Sequence, residues 1–375
     1  MRTTALTLAA LLAALLAAAC AAPSTSHTRT YYVAADEIAW NYAPDGMNKI
    51  TGKPFSFVDN LFVGRGPARI GTVYKKAVYR EYTDSTFKTL KPRAPEWEHL
   101  GILGPLLRAE VGDTIRVIFR NNGHLPFSMH PHGVFYLKAS EGASYADGTK
   151  DNKGGVVRPG GTTTYIWPVP ERAGPAMGEG TSALWMYHSH VAEDADLNTG
   201  LVGPIIVTAR HEAKPDGSPK DVDREIITGF LEMDENASPF FDENIKTYAL
   251  KPATVKKGKP GEFTDPFYAS NLKESMNGFV FGNGPIPVIS VGERVHWYTL
   301  ADANFQVHAP HWHGNTLVAN HMRTDVLSLT TMGMIIADMV PDDPGTWLFH
   351  CHVGPHLIAG MQSLYTVNEP AAGRR

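Results

Sequence analysis

Ten of the chain's 16 histidines fall into short, repeated arrangements. His130 and His132, His188 and His190, His311 and His313, and His350 and His352 form four His-x-His pairs. On an extended strand, residues i and i+2 share a face, so each pair offers two imidazoles side by side. A zinc site needs four ligands, or three with one position open, and eight paired imidazoles exceed that. His308, His356, Cys351 and Met361 add a different chemistry. Two imidazoles and a thiolate in a plane, with a long axial thioether, make the blue copper electron-transfer site. Cys351, His356 five residues on and Met361 five further let one strand and loop supply three of those four groups. His350 and His352 point to the strand face opposite Cys351. An electron reaching the thiolate is then a few covalent bonds from a second metal group.

The positions of these residues repeat. Val111-Gly112-Asp113 leads, 18 residues after Gly112, to His130-Pro131-His132-Gly133, and Val291-Gly292-Glu293 leads, 19 residues after Gly292, to His311-Trp312-His313-Gly314. Each half then carries an aromatic-flanked strand ending in the second pair, Tyr187-His188-Ser189-His190 and Phe349-His350-Cys351-His352. Two copies of one β-sandwich unit account for this better than one large domain. Strands are expected at Thr114–Arg120, Thr163–Trp167, Ala183–His190, Leu201–Thr208, Glu225–Leu231, Arg294–Leu300, Thr346–His352 and Gln362–Val367, each rich in β-branched and aromatic residues. The expected division is a leader at 1–22, a first domain at 28–212, a polar turn-rich linker at 213–223, a second domain at 224–368 and a tail at 369–375. The fold class is all-β, two tandem Greek-key sandwiches.

Composition agrees. With 375 residues, 35 glycines and 27 prolines, the chain suits many short strands joined by turns. Lys+Arg (34) do not outnumber Asp+Glu (38), and no basic run points to nucleic acid. Arg2 and the small, apolar run Ala5 to Ala19 read as a secretory leader, too short to span a bilayer. The ending Leu16-Ala17-Ala18-Ala19-Cys20 is similar to a lipoprotein box, so Cys20 is a candidate lipid anchor on an exported, periplasmic or cell-envelope protein. The chain has only two cysteines, and with Cys20 lipidated or removed Cys351 is a lone thiol in an oxidising compartment.

These motifs resemble those of the multicopper oxidases, the ceruloplasmin and hephaestin-type ferroxidases among them. Trp40-Asn41-Tyr42-Ala43-Pro44, Lys75-Lys76-Ala77-Val78-Tyr79-Arg80, Glu96-Trp97-Glu98-His99-Leu100-Gly101 and Ser275-Met276-Asn277-Gly278-Phe279 carry the likeness beyond the histidines, over roughly residues 30 to 367. The resemblance implies cupredoxin-like domains and four coppers. His130 and His311 would hold type 2. His132, His188, His190, His313, His350 and His352 would hold the type 3 pair, and His308, Cys351, His356 and Met361 type 1. The first half departs from a type 1 pattern, with Phe127, Ser189 and Asp194 at the ligand positions. Cluster ligands divide four and four between the halves. The large family members place such a cluster between their first and last domains, around a ring of which this chain resembles one third. A homotrimer with each cluster between subunits is therefore expected.

Dioxygen is the implied acceptor. For the donor, Asp234-Glu235-Asn236 is similar to a carboxylate segment of the ferroxidases, which makes Glu235 a candidate iron contact, while Pro355 stands where a second carboxylate is found. Ferrous ion is narrowly favoured over cuprous ion or phenolic and amine donors. Asp113 and Asp196 are candidate proton relays to the cluster. Two other readings remain at this stage. A copper nitrite reductase also has two such domains, but keeps its blue copper in the first and lacks the type 3 pair. A copper store or electron carrier would not need six paired imidazoles beside an electron relay.

Overall fold

Among the described residues, short runs of β-branched and aromatic residues, punctuated by glycine and proline turns, become eighteen strands with brief helices between them. The computed structural model describes residues 26–370 apart from 68, 151, 259–260, 262–263 and 305. The leader, with Cys20, lies outside the described residues. Among those described, no helix is long and apolar enough to cross a membrane.

The first half contributes β1 (Thr28–Asn41), β2 (Val73–Tyr82), β3 (Leu107–Glu110), β4 (Thr114–Asn121), β5 (His130–Pro131), β6 (Thr162–Pro168), β7 (Ser182–His188) and β8 (Val202–Thr208). They form two four-stranded sheets, ordered β2-β1-β4-β6 and β3-β8-β7-β5. The second half contributes β9 (Arg224–Asp234), β10 (Leu272–Met276), β11 (Val288–Ser290), β12 (Val295–Ala301), β13 (Pro310–Trp312), β14 (Leu317–Ala319), β15 (Met322–Thr324), β16 (Met334–Met339), β17 (Gly345–Cys351) and β18 (Gln362–Asn368). Its sheets run β10-β9-β12-β16-β14-β15 and β11-β18-β17-β13. The halves repeat in pairing as well as in sequence. β1 runs parallel to β4 as β9 does to β12, and β5 pairs with β7 as β13 does with β17.

Burial follows from these layers. In β4, Ile115, Val117 and Phe119 face the core while Arg116 is exposed, the alternation of a strand with one wet face. β8 and β12 are buried at every residue, which marks strands covered on both sides. One hydrophobic cluster, from Tyr42 and Leu103 through Val202 to Ile227 and Leu300, takes side chains from both halves and packs them together. Across that boundary Arg108 pairs with Glu225 at 2.6 Å, and the Trp40 indole donates to the Gly278 carbonyl at 2.7 Å. The core of the second half centres on Trp297, wholly buried, whose ring meets Trp312, Phe349 and Tyr365. Each such large side chain contributes about 2–3 kcal/mol by leaving water. Phe349 and Trp312 flank the metal-bearing ends of β17 and β13, so this core sets where the histidines stand.

Candidate metal centres

Cys351 ends β17, fully buried, and its sulfur faces two imidazoles. The His356 Nδ1 lies 3.5 Å from Sγ and the His308 Nδ1 3.9 Å away. Donors in a trigonal plane around one ion, at about 2.1 Å from it, stand about 3.6 Å apart, so this spacing fits a single metal ion. The local fold explains the arrangement. His308 is held by exchange of backbone hydrogen bonds with Leu329, and His356 sits on the helix Gly354–Ala359 that turns the chain after β17. Gly360, at φ 109°, ends that helix in a left-handed conformation that glycine adopts freely. Met361, wholly buried, then returns its carbonyl to the Cys351 N–H.

Burial pushes His308 down to about 3 and His356 down to about 4, and raises the Cys351 thiol. Neutral imidazoles are the form that ligates metal, whereas the thiol must lose its proton to a metal ion. The His356 Nε2–H donates to Gln306 Oε1 at 2.6 Å, which leaves Nδ1 aimed at the sulfur.

The eight paired histidines form two quartets of like construction. In the first, β5 and β7 place His130 opposite His188, and the His132 and His188 Nε2 atoms stand 3.1 Å apart. In the second, β13 and β17 place His311 opposite His350, with the His313 and His350 Nε2 atoms 3.1 Å apart. His188 and His350 each turn Nδ1 to the carbonyl of the next residue, at 3.0 and 2.8 Å, so Nε2 is the ligating atom in both. His130 does likewise with the Glu141 carbonyl at 2.6 Å. Each quartet follows a glycine rule visible in the sequence. Gly133 and Gly314 sit at φ +76°, and a Cβ added there would lie 2.1 Å from the Trp185 ring or 2.4 Å from the Trp347 ring. Among the described residues no ring contact or hydrogen bond joins the two quartets. Both lie at half-open faces, with His188 and His350 buried and the other six partly or fully exposed.

The other candidates are dispersed. Asp113 accepts from Arg29 Nε at 2.6 Å and from the N–H groups of His27 and Glu110, clamping the starts of β1 and β4. No histidine of either quartet is among those partners. Asp196 is buried beside the first quartet and accepts from the Ser189 hydroxyl at 2.6 Å. Burial raises its carboxyl above the usual range. Glu235 is not brought to the Cys351 group. It is wholly buried, ion-paired with Lys76 and hydrogen-bonded by the Tyr42 hydroxyl at 2.5 Å. A sequence shows the carboxylate but not a lysine 159 positions away that neutralises it.

Carboxylates that the motifs did not reveal stand closer. Glu193 lies 3.2 Å from the His190 Nε2 and 3.8 Å from that of His188, and Asp325 lies 3.7 Å from the His311 Nε2. Beyond the outer edge of His356, the carboxylates of Glu232 and Glu274 and the imidazole offer ligand atoms all within 4.8 Å of one another. Burial, and then the nearby charge of Asp234, pushes Glu232 up to about 7. Burial, and then Glu232, raises Glu274 and Asp302 well above the carboxylate range.

Comparison with known proteins places this geometry. Residues 100–212 and 250–371 each match a multicopper oxidase family model. The ferroxidase HEPHL1 of Mus musculus is 43% identical over 346 residues, covering 91% of this chain and 29% of that protein. Hephaestin of Rattus norvegicus is 41% identical and ceruloplasmin of Homo sapiens 39%, each over 92% of this chain and 30% or 33% of theirs. The chain thus spans about a third of the length of the curated relatives it matches. Among solved structures, the multicopper oxidase mgLAC shares the fold at TM-score 0.57 and 17% identity, covering 92% of this chain and 88% of that one. The blue copper oxidase of Nitrosomonas europaea does so at TM-score 0.56 and 18% identity, covering 92% and 86%.

Proposed function

We propose, for a chain that belongs to the multicopper oxidase family, that it oxidises a small one-electron donor, ferrous ion first among them, at the expense of dioxygen. The net reaction balances as four ferrous ions, one dioxygen and four protons giving four ferric ions and two waters. His308, Cys351, His356 and Met361 would hold the type 1 copper. His130 and His311 would hold type 2, and His132, His188, His190, His313, His350 and His352 the type 3 pair. When bound, the coppers supply a one-electron acceptor at the thiolate and a four-electron store for dioxygen.

One observation carries this reading: Cys351 turns its sulfur to His308 and His356 while the adjoining His350 turns Nε2 to His313. The backbone of two neighbouring residues therefore joins the entry site to the oxygen-facing site. The protein's own part is preparation. Burial keeps the imidazoles neutral, Gln306 fixes which nitrogen of His356 faces the sulfur, and the Trp297 core keeps water from the thiolate. Oxygen uptake by copper-loaded protein, with ferrous ion, cuprous ion and a phenol as donors, tests the activity. Uptake with none of them would remove it.

The separated quartets support a head-to-tail ring of three chains, in which the first quartet of one copy meets the second quartet of its neighbour. An exposed apolar side chain borders each: Phe135 beside the first and Val326 beside the second. Sedimentation gives the state directly, and a catalytically competent monomer would end the shared-cluster reading. The same reading has the chain exported, with a lipid on Cys20. Loss of acyl labelling in Cys20→Ser checks the anchor.

A further inference from the structure

We propose that Met177, His321 and Met322 form a surface site for cuprous ion and hand copper on to the second quartet. The site stands on its own geometry, and the handing-on rests on the oxidase reading.

The hairpin of β14 and β15 turns in two residues, Asn320 and His321, between the paired Ala319 and Met322. Both turn residues have positive φ, 49° and 63°. A turn of this kind favours glycine at its second place, because a side chain in the left-handed region crowds its own backbone. His321 stands there instead. Residues held in such a conformation cluster where a side chain is put to use. The His321 ring is exposed, and among the described residues no hydrogen bond or ion pair engages it. It faces the first half. A Cβ added at Gly178 would lie 3.8 Å from its Cε1 and 4.0 Å from its Nε2, so the loop between the short helix Glu171–Ala173 and β7 passes against that edge.

That loop carries Met177, fully exposed, and Met322 follows the histidine at 67% exposure. Methionine ordinarily goes inside. Two thioethers left in water beside a free imidazole are a soft donor set, and such donors select cuprous ion over hard cations. Methionine has three rotatable bonds, so each sulfur can swing to an ion held on the ring. The loop's own carboxylate, Glu179, is turned back to the Ala176 N–H at 2.9 Å, which leaves the set sulfur and nitrogen. The hairpin also gives the site its use. β15 runs from Met322 toward Asp325, about 10 Å further along an extended chain. The Asp325 carboxylate lies 3.7 Å from the His311 Nε2, so copper collected at the hairpin tip is one short strand from the second quartet.

Ag+ is a redox-silent probe with the same soft preference. Added to copper-loaded protein with isotope-labelled methionine methyls, it should shift the Met177 and Met322 resonances and saturate at one ion per chain. Met177→Leu and Met322→Leu should each weaken Ag+ binding by at least about tenfold. His321→Gly should abolish binding with the melting temperature unchanged or higher, since glycine takes that backbone freely. All three side chains face water, so the variants fold. No shift of either methyl at equimolar Ag+, or binding undiminished in His321→Gly, would overturn the site. For the handing-on, the full chain is stripped of copper and reloaded from a cuprous buffer at limiting free ion. The Met177→Leu, Met322→Leu double variant should reload at least about threefold more slowly, yet reach the same copper content at excess ion. An equal reloading rate would overturn the transfer while Ag+ binding kept the site. Conversely, His321-dependent Ag+ binding in a copper-loaded protein that oxidises no donor would sustain the site and sink the oxidase reading.

Discussion

The Ser189 hydroxyl donates to the Asp196 carboxylate at 2.6 Å, tying the residue between His188 and His190 to the helix Glu193–Thr199. Cys351 holds the matching place between His350 and His352, where its sulfur faces two imidazoles instead. The same strand end therefore serves as a structural tie in one half and a candidate metal site in the other. Asp196 also accepts from the Ala192 N–H at 3.1 Å. Asp196→Ala should cost about 1–3 kcal/mol in denaturant unfolding, because the buried Ser189 hydroxyl loses its acceptor. The blue absorption of the second half should persist.

Cys351→Ser removes the one sulfur between His308 and His356. Copper content should fall by about one ion per chain and the blue absorption should vanish, since that colour needs the thiolate. Metal analysis beside an absorption spectrum checks both, and loss of all copper would mean the ligands are divided otherwise.

Lys76 and Glu235 form a wholly buried pair between β2 and the end of β9. Glu235→Ala leaves an ammonium without its partner in a dry setting, at a cost of about 3–5 kcal/mol. The defect should appear in the unfolding curve. Replacing both residues with apolar ones of similar volume (Lys76→Met with Glu235→Leu) should recover most of it, a comparison that separates an unpaired charge from a lost contact.

His99 locks the two halves together. Its Nδ1–H donates to the Glu96 carbonyl at 2.8 Å, and its Nε2 accepts the Ile227 N–H at 3.1 Å, which only a neutral ring can do. Burial lowers it to about 4. A histidine depressed on folding contributes stability that is complete above its unfolded value of about 6.5 and is lost as pH falls toward 4, here about 3 kcal/mol. Urea midpoints of copper-loaded protein should decline across that window, and His99→Gln should flatten the decline. Without copper, the buried ligand histidines add losses of the same sign.

The ligand set was legible because strand alternation and duplication are local signals. His-x-His followed by Gly133 or Gly314 announces a tight turn under a tryptophan before any fold is known. All eight expected strands exist, with ends displaced by up to three residues, as β9 runs to Asp234 and β7 stops at His188. What stayed hidden depends on partners distant in sequence. β2 does not read as a strand of ordinary type because Lys76 is buried in it, and the lysine is tolerable only beside Glu235. Glu232 and Glu274 look like unrelated charges until β9 and β10 are aligned. β5 and β13 are too short to read at all; pairing with β7 and β17 defines them.

If a cluster forms only where the first quartet of one chain meets the second quartet of its neighbour, a genetic consequence follows. Let His132→Ala cripple the first quartet of one population and His313→Ala the second quartet of another, so that neither alone assembles a sound cluster. Dissociated, mixed in equal amounts and reassociated, about one junction in four would join an undamaged first quartet to an undamaged second. Two dead preparations would revive each other in the same tube.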